Sequence, residues 1–311
     1  TVDIMKHLLL TLAALTLVSV CQSKTVNLEL NLSKGKTYTQ VSQNNFNMQM
    51  EIMGKTIDFN MNVVSRLTFH VLDVQDTVYD IEVRYDSLSM NIKLPNTTQT
   101  FNSGTNDTAN MASSMLRLLK NRTFRMSLSK RGKVVDVHSL DSIFTSLNDS
   151  ISGYSEEQKS QMLTQVEHNF GKDEFTTNFE SAMGFFPYKP VAIGDKWFNK
   201  NTIKTNSLPI ITETIYELKE ITDSGYHITG VSTVSADKTG SFSGLPVGTN
   251  VDLNITGNIL SDFNVDLATG WINDSKATTE IHATANIKGG ENAKEVNFTF
   301  NITGESTCNG N

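Results

Sequence analysis

An alternation of apolar and polar residues with a period of two runs through this chain for far longer than one ordinary strand. Val26, Leu28, Leu30 and Leu32 alternate with Asn27, Glu29 and Asn31. Phe46, Met48, Met50 and Ile52 repeat the pattern, and Ile57, Phe59, Met61, Val63, Leu67, Phe69 and Val71 continue it with only Ser65 out of place. Successive strand side chains point to opposite faces, so each run reads as a strand with one apolar face. Met53-Gly54-Lys55 reads as the hairpin turn between two of them. Tyr79, Ile81, Val83 and Tyr85 form another strand, and a slip of phase near Ser87, which brings Leu88, Met90, Ile92 and Leu94 into step, predicts a bulge. The alternation returns in Val247, Val251, Leu253, Ile255 and Ile259, in Phe263, Val265 and Leu267, and in Val296, Phe298, Phe300 and Ile302. Alternation over about 15 residues spans about 50 Å, so the sheet must twist, curl and wrap around something, most simply helices.

Asn96 to Asp107 is Asn, Thr, Ser and Gly with little to bury, and is expected to be a boundary loop. Beyond it the spacing turns helical. Met111, Met115, Leu118 and Leu119 share one helical face, and Leu140, Ile143, Phe144, Leu147 and Ile151 another. A short hairpin, Phe124 to Leu128 and Val134 to Val137 around Lys130-Arg131-Gly132-Lys133, separates them. Ser155 with Gln158 is a capping box opening a helix through Phe170, and Phe175, Phe179 and Met183 mark a further helix ending before Pro187.

The predicted fold class is therefore α+β, a large curled antiparallel β-sheet with a central helical segment packed against it. Residues 1–23 are upstream residues and signal peptide, 24–94 an N-terminal β-rich half, 95–189 a mostly helical middle, 190–304 a C-terminal β-rich half and 305–311 a tail. The β-rich halves also resemble each other. Phe69, Val71, Val74, Asp76, Tyr79 and Ile81 recur as Tyr216, Leu218, Ile221, Asp223, Tyr226 and Ile228 at a constant offset of 147 residues, as duplicated halves would. Whether they form one sheet or two stays open.

Lys6-His7 precedes an uncharged apolar run from Leu8 to Val20, a secretory signal peptide that is too short for the roughly 20 residues of a membrane span. Met5 is the natural start, and Thr1 to Ile4 are set aside. Cys21 follows Leu17-Val18-Ser19-Val20, a loose lipobox, so two outcomes stand: acylation at Cys21, or cleavage nearby and soluble release. With Cys21 lipidated or removed, Cys308 has no intrachain partner and reads as an incidental thiol in a frayed tail.

The search for chemistry returns absences. With 26 Lys+Arg against 33 Asp+Glu the formal charge is -7, and no basic surplus exists for nucleic acid. No GxSxG, HExxH, P-loop or GxGxxG occurs, and Gly240-Ser-Phe-Ser-Gly244 carries Phe242 where a nucleophile elbow needs serine. The histidines His7, His70, His138, His168, His227 and His282 show no metal-ligand spacing. Asp262, Asn264 and Asp266 mimic the start of a calcium loop, but Leu267 replaces the turn glycine and strand alternation explains the spacing. Glu156-Glu157, Asp173-Glu174 and Asp223 fit helix first turns or loops. No catalytic, cofactor or metal residue is assigned, and the chain is expected not to be an enzyme. Eleven methionines, including Met48, Met50, Met61 and Met90, fall mostly on apolar faces, where thioethers suit an ordinary core or an adaptable cavity.

Pro190-Val-Ala-Ile-Gly-Asp-Lys-Trp197 and Asp266-Leu-Ala-Thr-Gly-Trp-Ile272 add a resemblance, together with Leu28 to Tyr38 around Lys34-Gly35-Lys36, the Ser129 to Val134 hairpin and the helical middle. On these residues the chain resembles an uncharacterised family of secreted bacterial cell-envelope proteins of about this length, a domain of unknown function. The resemblance implies a fold and a periplasmic or outer-membrane location in a Gram-negative bacterium, and supplies no catalytic residues. The expected function is that of a non-enzymatic secreted or lipid-anchored envelope protein without cofactors. In one reading the sheet concavity holds a lipid or other amphiphile. In the other the core is filled and the protein is a structural or interaction module for an envelope protein partner. Membrane contact would come only through an N-terminal anchor. An outer-membrane β-barrel ranks below both, given 8% aromatics, a helical middle and a polar terminus.

Overall fold

The computed structural model describes residues 25–105, 111–150, 155–204, 209–236, 250–288 and 296–311. Its strands are β1 (Thr37–Ile52), β2 (Lys55–Val74), β3 (Val78–Leu94) and β4 (Thr97–Asn102), then, after helix α1 (Met111–Leu119), β5 (Thr123–Ser129) and β6 (Val134–His138). Helices α2 (Leu140–Ser150), α3 (Glu156–Phe170) and α4 (Lys172–Met183) follow, and then β7 (Lys196–Lys204), β8 (Pro209–Ile221), β9 (Gly225–Ala236), β10 (Asn250–Asp266), β11 (Ile272–Lys288) and β12 (Val296–Gly310). They make one sheet in the order β6-β5-β3-β2-β1-β12-β11-β10-β9-β8-β7, with β4 beside β3. Neighbours pair antiparallel throughout, and the sheet does not close.

Local chemistry explains the joints. Met53 and Gly54 have φ of 51° and 76° and turn the chain between Ile52 and Lys55, the two-residue turn whose twist suits a hairpin. Arg66 faces Ser87 while Leu67 faces Tyr85, so Asp86 is the extra residue of a bulge where the phase slips. Its carboxylate accepts from Thr68 Oγ1 and Arg84 Nε. Ser155 and Gln158 cap α3 reciprocally.

Three expectations need correction. The segment from Asn96 is no plain loop: Thr97–Asn102 is β4, paired with Ser89–Leu94 along the stretch of β3 that β5 leaves free. Val26 to Leu32 buries alternate residues as expected but joins no sheet. Val26 bridges Val191, Leu30 N–H donates to Lys130 O, Asn31 N–H donates to Thr269 O, and Tyr79 Oη donates to Leu30 O at 2.7 Å while accepting from Leu32 N–H. The segment is a strap across the end of the sheet where the turns of both halves meet. Residues 305–310, set apart as a tail, belong to β12 and pair with β1 and β11, which buries Cys308.

The duplication is written into the backbone. Val71, Asp73 and Val74 face Ile81, Asp80 and Tyr79 across a bulge; Leu218, Glu220 and Ile221 face Ile228, His227 and Tyr226 across another at the same offset of 147. Gly35 N–H donates to Val71 O and Gly194 N–H to Leu218 O, both glycines in turns with positive φ. Gly132 and Gly270, with φ of 70° and 69°, occupy matching turns after β5 and β10. A Cβ there would meet Met183 O at 2.1 Å and Glu29 O at 2.3 Å, so only glycine fits the close approach. Each half is thus a five-stranded meander, β1-β2-β3-β5-β6 and β7-β8-β9-β10-β11, with β12 joining them on one side.

On the other side α4 spans the gap between the free edges β6 and β7. Glu180 accepts from Val134 N–H on β6 through Oε1 and from Lys133 Nζ through Oε2, and the same Nζ reaches Asn201 Oδ1 on β7 at 2.9 Å. Trp197 Nε1 donates to Phe185 O just past the helix. Phe175 and Phe179 of α4 project onto Phe124 and Phe69, with ring centroids 4.8 and 5.6 Å apart, and Phe185 meets Phe263 at 5.0 Å. These aromatics fill the strapped end of the curl.

Tyr79 holds that strap from inside the core. Replacing it with Phe leaves Leu30 O and Leu32 N–H buried without that partner, and the Tyr79→Phe protein is expected to lose about 2 kcal/mol. Urea unfolding should show a lower midpoint with an unchanged slope.

Candidate functional site

The strand registers assign every long strand two faces. Even residues of β1, odd residues of β2 and β10–β11, and even residues of β8, β9 and β12 share the concave face. Among the described residues no Asp, Glu, Lys, Arg or His occupies the concave positions from Tyr38 to Ile52 on β1, Ile57 to Val71 on β2 and Ile210 to Leu218 on β8, or those of β9 to β12; Lys55 stands at the hairpin end of β2, and Asp73 and Glu220 lie past the bulges. The convex face carries Asn45, Asn47, Gln49 and Glu51 on β1 and Asn60 and Asn62 on β2, with the asparagine pairs Asn60–Asn47 and Asn62–Asn45 hydrogen-bonded. That polarity is the reverse of an outer-membrane barrel, which turns an apolar band outward.

The concave face has three zones. At the strapped end lies the buried aromatic core. Next comes a belt of small and polar residues, with Asn44, Ser306, Ala277, Ser261 and Gly230 successive across the strands. Beside it Thr214 and Ser232 bond at 2.8 Å, and the neighbouring Asn199 leaves Oδ1 buried without a partner. Gln40 and Ser42 bond the Cys308 thiol, which burial pushes above its ordinary range. These residues sit in the apolar phase of their strands. Ser65 was visible as an interruption, and Gln40, Thr214 and Ser232 were legible by the same signal.

Beyond the belt the face is apolar again, and its two walls differ. On the second half Val234, Leu253, Ile255 and Ala283 close into a small buried cluster, with Ile281 and Phe300 packed against it. On the first half Phe46, Met48, Met50, Phe59, Met61, Met90 and Ile92 join neither this cluster nor the aromatic core, and all stay partly exposed. Met48 stands opposite Phe59 and Ile302, and Met50 opposite Ile57 and Phe300. Unbranched thioethers beside aromatic rings make an apolar wall that adapts to what it touches.

The other candidates are dispersed. Cys21, His7 and Gly240 to Gly244 lie outside the described residues. Asp262 pairs with His227 at 2.8 Å, Asn264 bonds Asp274, and Asp266 accepts from Ala268 N–H and Thr269 N–H in its own turn, so the three share no ligand point. His70 bonds Thr37, His138 pairs with Asp136, and His282 bonds Asn301. Glu156 pairs with Lys159 in the first turn of α3. A depression of about 340 Å³ between Glu51, Met53, Gly54, Asn297 and Thr299 lies at the β1–β2 hairpin, apart from Met48, Met50, Met61 and Met90.

Residues 76–272 match the family of unknown function DUF6263. The chain belongs to this family. The matched span of this DUF6263 protein runs from the β2–β3 turn to the first residue of β11 and so takes in the four described helices and both sheet edges. No curated protein matches it. A solved structure titled for lipid-protein interactions in lipovitellin shares 9% identity at a TM-score of 0.47, over 90% of this chain and 25% of that one, so the chain spans a quarter of its length. The outer membrane protein OprG from Pseudomonas aeruginosa shares 7% identity at a TM-score of 0.23, over 89% of this chain and 99% of that one. An outer membrane channel from Pseudomonas putida F1 shares 10% identity at 0.21, over 88% and 97%. TM-scores below 0.5 establish no common fold.

Burial of Cys308 is directly measurable. In a Cys21→Ser chain at pH 8, a thiol reagent should modify native Cys308 at least about 100-fold more slowly than the urea-unfolded protein. Burial also raises Tyr85 and pushes Tyr216 up to about 12. All three groups are neutral acids in the fold, so their contribution is present below the unfolded pKa values and is lost as pH rises toward the folded ones. Unfolding midpoints should hold through neutrality and fall progressively above about pH 8.5 to 10.

Proposed function

We propose that this DUF6263 protein is a non-enzymatic cell-envelope protein that holds a lipid or other amphiphile against the apolar wall of β1–β3. One observation carries the reading: Phe46, Met48, Met50, Phe59, Met61, Met90 and Ile92 face the concave side without joining a buried cluster. Exposed apolar area of this kind gains roughly 25 cal/mol for each Å² that an acyl chain covers. The absence of charge on the concave positions from Ile57 to Val71 of β2 and beside them on β1 keeps a charged headgroup out of the curl and at its open end, where Lys55 stands. The belt of hydroxyls and the Asn199 acceptor sets the depth to which a tail reaches. Export and anchoring rest on the sequence: Lys6-His7, the apolar run to Val20, and Cys21 as the acylation point.

The test is organic extraction and mass spectrometry of protein purified without detergent from its own envelope, with the denatured mass reporting lipid on Cys21. An acyl compound should be recovered near one per chain. Phe59→Asp and Met48→Asp should each cut recovery at least tenfold while leaving the melting temperature within a few degrees, because both positions are already partly exposed. A chain that yields no ligand from the envelope, and takes up none when incubated with long-chain fatty acid or phospholipid, refutes the reading.

A further inference from the structure

The duplicated halves serve as each other's control. On the convex face Phe198, Ile215, Val231 and Leu260 stand in one row across β7, β8, β9 and β10, each paired with the next. They are 56%, 53%, 54% and 55% exposed. The register-equivalent row of the first half is Thr39, Thr68, Arg84 and Thr123 on β1, β2, β3 and β5, joined by the same pairing. The same backbone thus folds with four polar side chains in this row. Four half-exposed apolar ones, over about 15 Å of sheet, are left without a folding reason and mark a contact surface.

The flanking rows select the occupant. One runs Lys196, Glu217, Thr229, Asp262; the other runs Lys200, Glu213, Thr233, Asn258. The cations therefore lie at the β7 end, Lys196 and Lys200 each bridged to a glutamate of β8, and an anion lies at the β10 end beside His227, while the patch as a whole is close to neutral and offers no attraction to an anionic membrane. A two-fold axis along the strands, between Ile215 and Val231, sets the row on its own reverse. Phe198 then meets Leu260 of the partner subunit, Ile215 meets Val231 of the partner subunit, and Lys196 meets Asp262 of the partner subunit. An axis along the row would instead put Lys196 on Lys200 of the partner subunit and Glu217 on Glu213 of the partner subunit, like on like. We infer that this row is the contact between two copies of the chain, related by the first axis. Lys196 and Lys200 guard the β7 edge against strand addition, which leaves the face as the contact. A patch three residues by four strands buries a few hundred Å² per copy, so the dimer is weak and reversible.

Sedimentation equilibrium of the full chain from about 10 μM to 1 mM tests it. The average mass should rise with concentration. Phe198→Thr with Ile215→Thr, the residues that the first half carries there, should weaken association at least tenfold with unchanged melting. Lys196→Asp alone should weaken it severalfold, and adding Asp262→Lys should restore it. A monomer at every concentration overturns the inference, as does association that the threonine pair leaves unchanged or that the charge swap fails to restore. Flotation with anionic vesicles that is lost in the threonine pair, with no self-association, would assign the row to a membrane and overturn it equally.

Discussion

An antiparallel sheet of this length has two free edges, and its curl persists only if something holds them near each other. Glu180 does so from the middle of α4. One carboxylate oxygen takes the Val134 N–H that β6 has no strand to receive, and the other holds Lys133, whose ammonium also reaches Asn201 on β7. The helix thereby occupies the place that β12 fills on the opposite side. Its Phe175 and Phe179 supply the bulk that keeps the sheet from collapsing flat. The pair is partly buried, so its attraction is less screened than that of a surface ion pair, and Glu180 also satisfies an edge N–H.

Filling follows from the same arrangement. Strands of 15 to 20 residues outrun a helix of 12, so α4 and the aromatic rings complete the core only at the strapped end. The second half shortens the deficit by closing Leu253, Ile255 and Val234 on one another around Ala283. The first half keeps Met48, Met50, Met61 and Met90 open instead. The two walls are built from different strands, β1–β3 against β9–β11, and carry different side chains: large flexible groups on one, alanine and branched aliphatic groups on the other.

Much of this was legible in the sequence, and the remainder fails for identifiable reasons. Period-two alternation located the long strands, the phase slip located the bulge at Asp86, and Ser155 with Gln158 located a helix start, because each is a local rule acting on adjacent residues. The offset of 147 held down to the bulges beside Asp73 and Glu220. β4 escaped because Thr97–Asn102 has no apolar phase and pairs only where β3 has a vacant flank. The Val26 to Leu32 strap imitates a strand, since alternate burial requires a wall on one side and no hydrogen-bonded neighbour. Glu180 and Lys133 meet 47 residues apart, with nothing in their spacing to announce it. The fate of Cys308 depended on β12 having partners on both sides, which no tail-like composition discloses.

The place of β12 also orders events in time. β1 pairs on one flank with β2, its neighbour in the chain, and on the other with β12, whose Gly310 lies opposite Gln40. A ribosome finishes β1 long before β12 exists, and the second half has no bond to the first through the sheet until the last strand is made. Each meander can form by local hairpins, yet the junction between them must wait for the 15 residues of β12, a contact of very long loop. Until then β1 and β11 both present open flanks, and although the strap and the Lys133–Asn201 contact already link the halves, β12 is what turns them into one sheet.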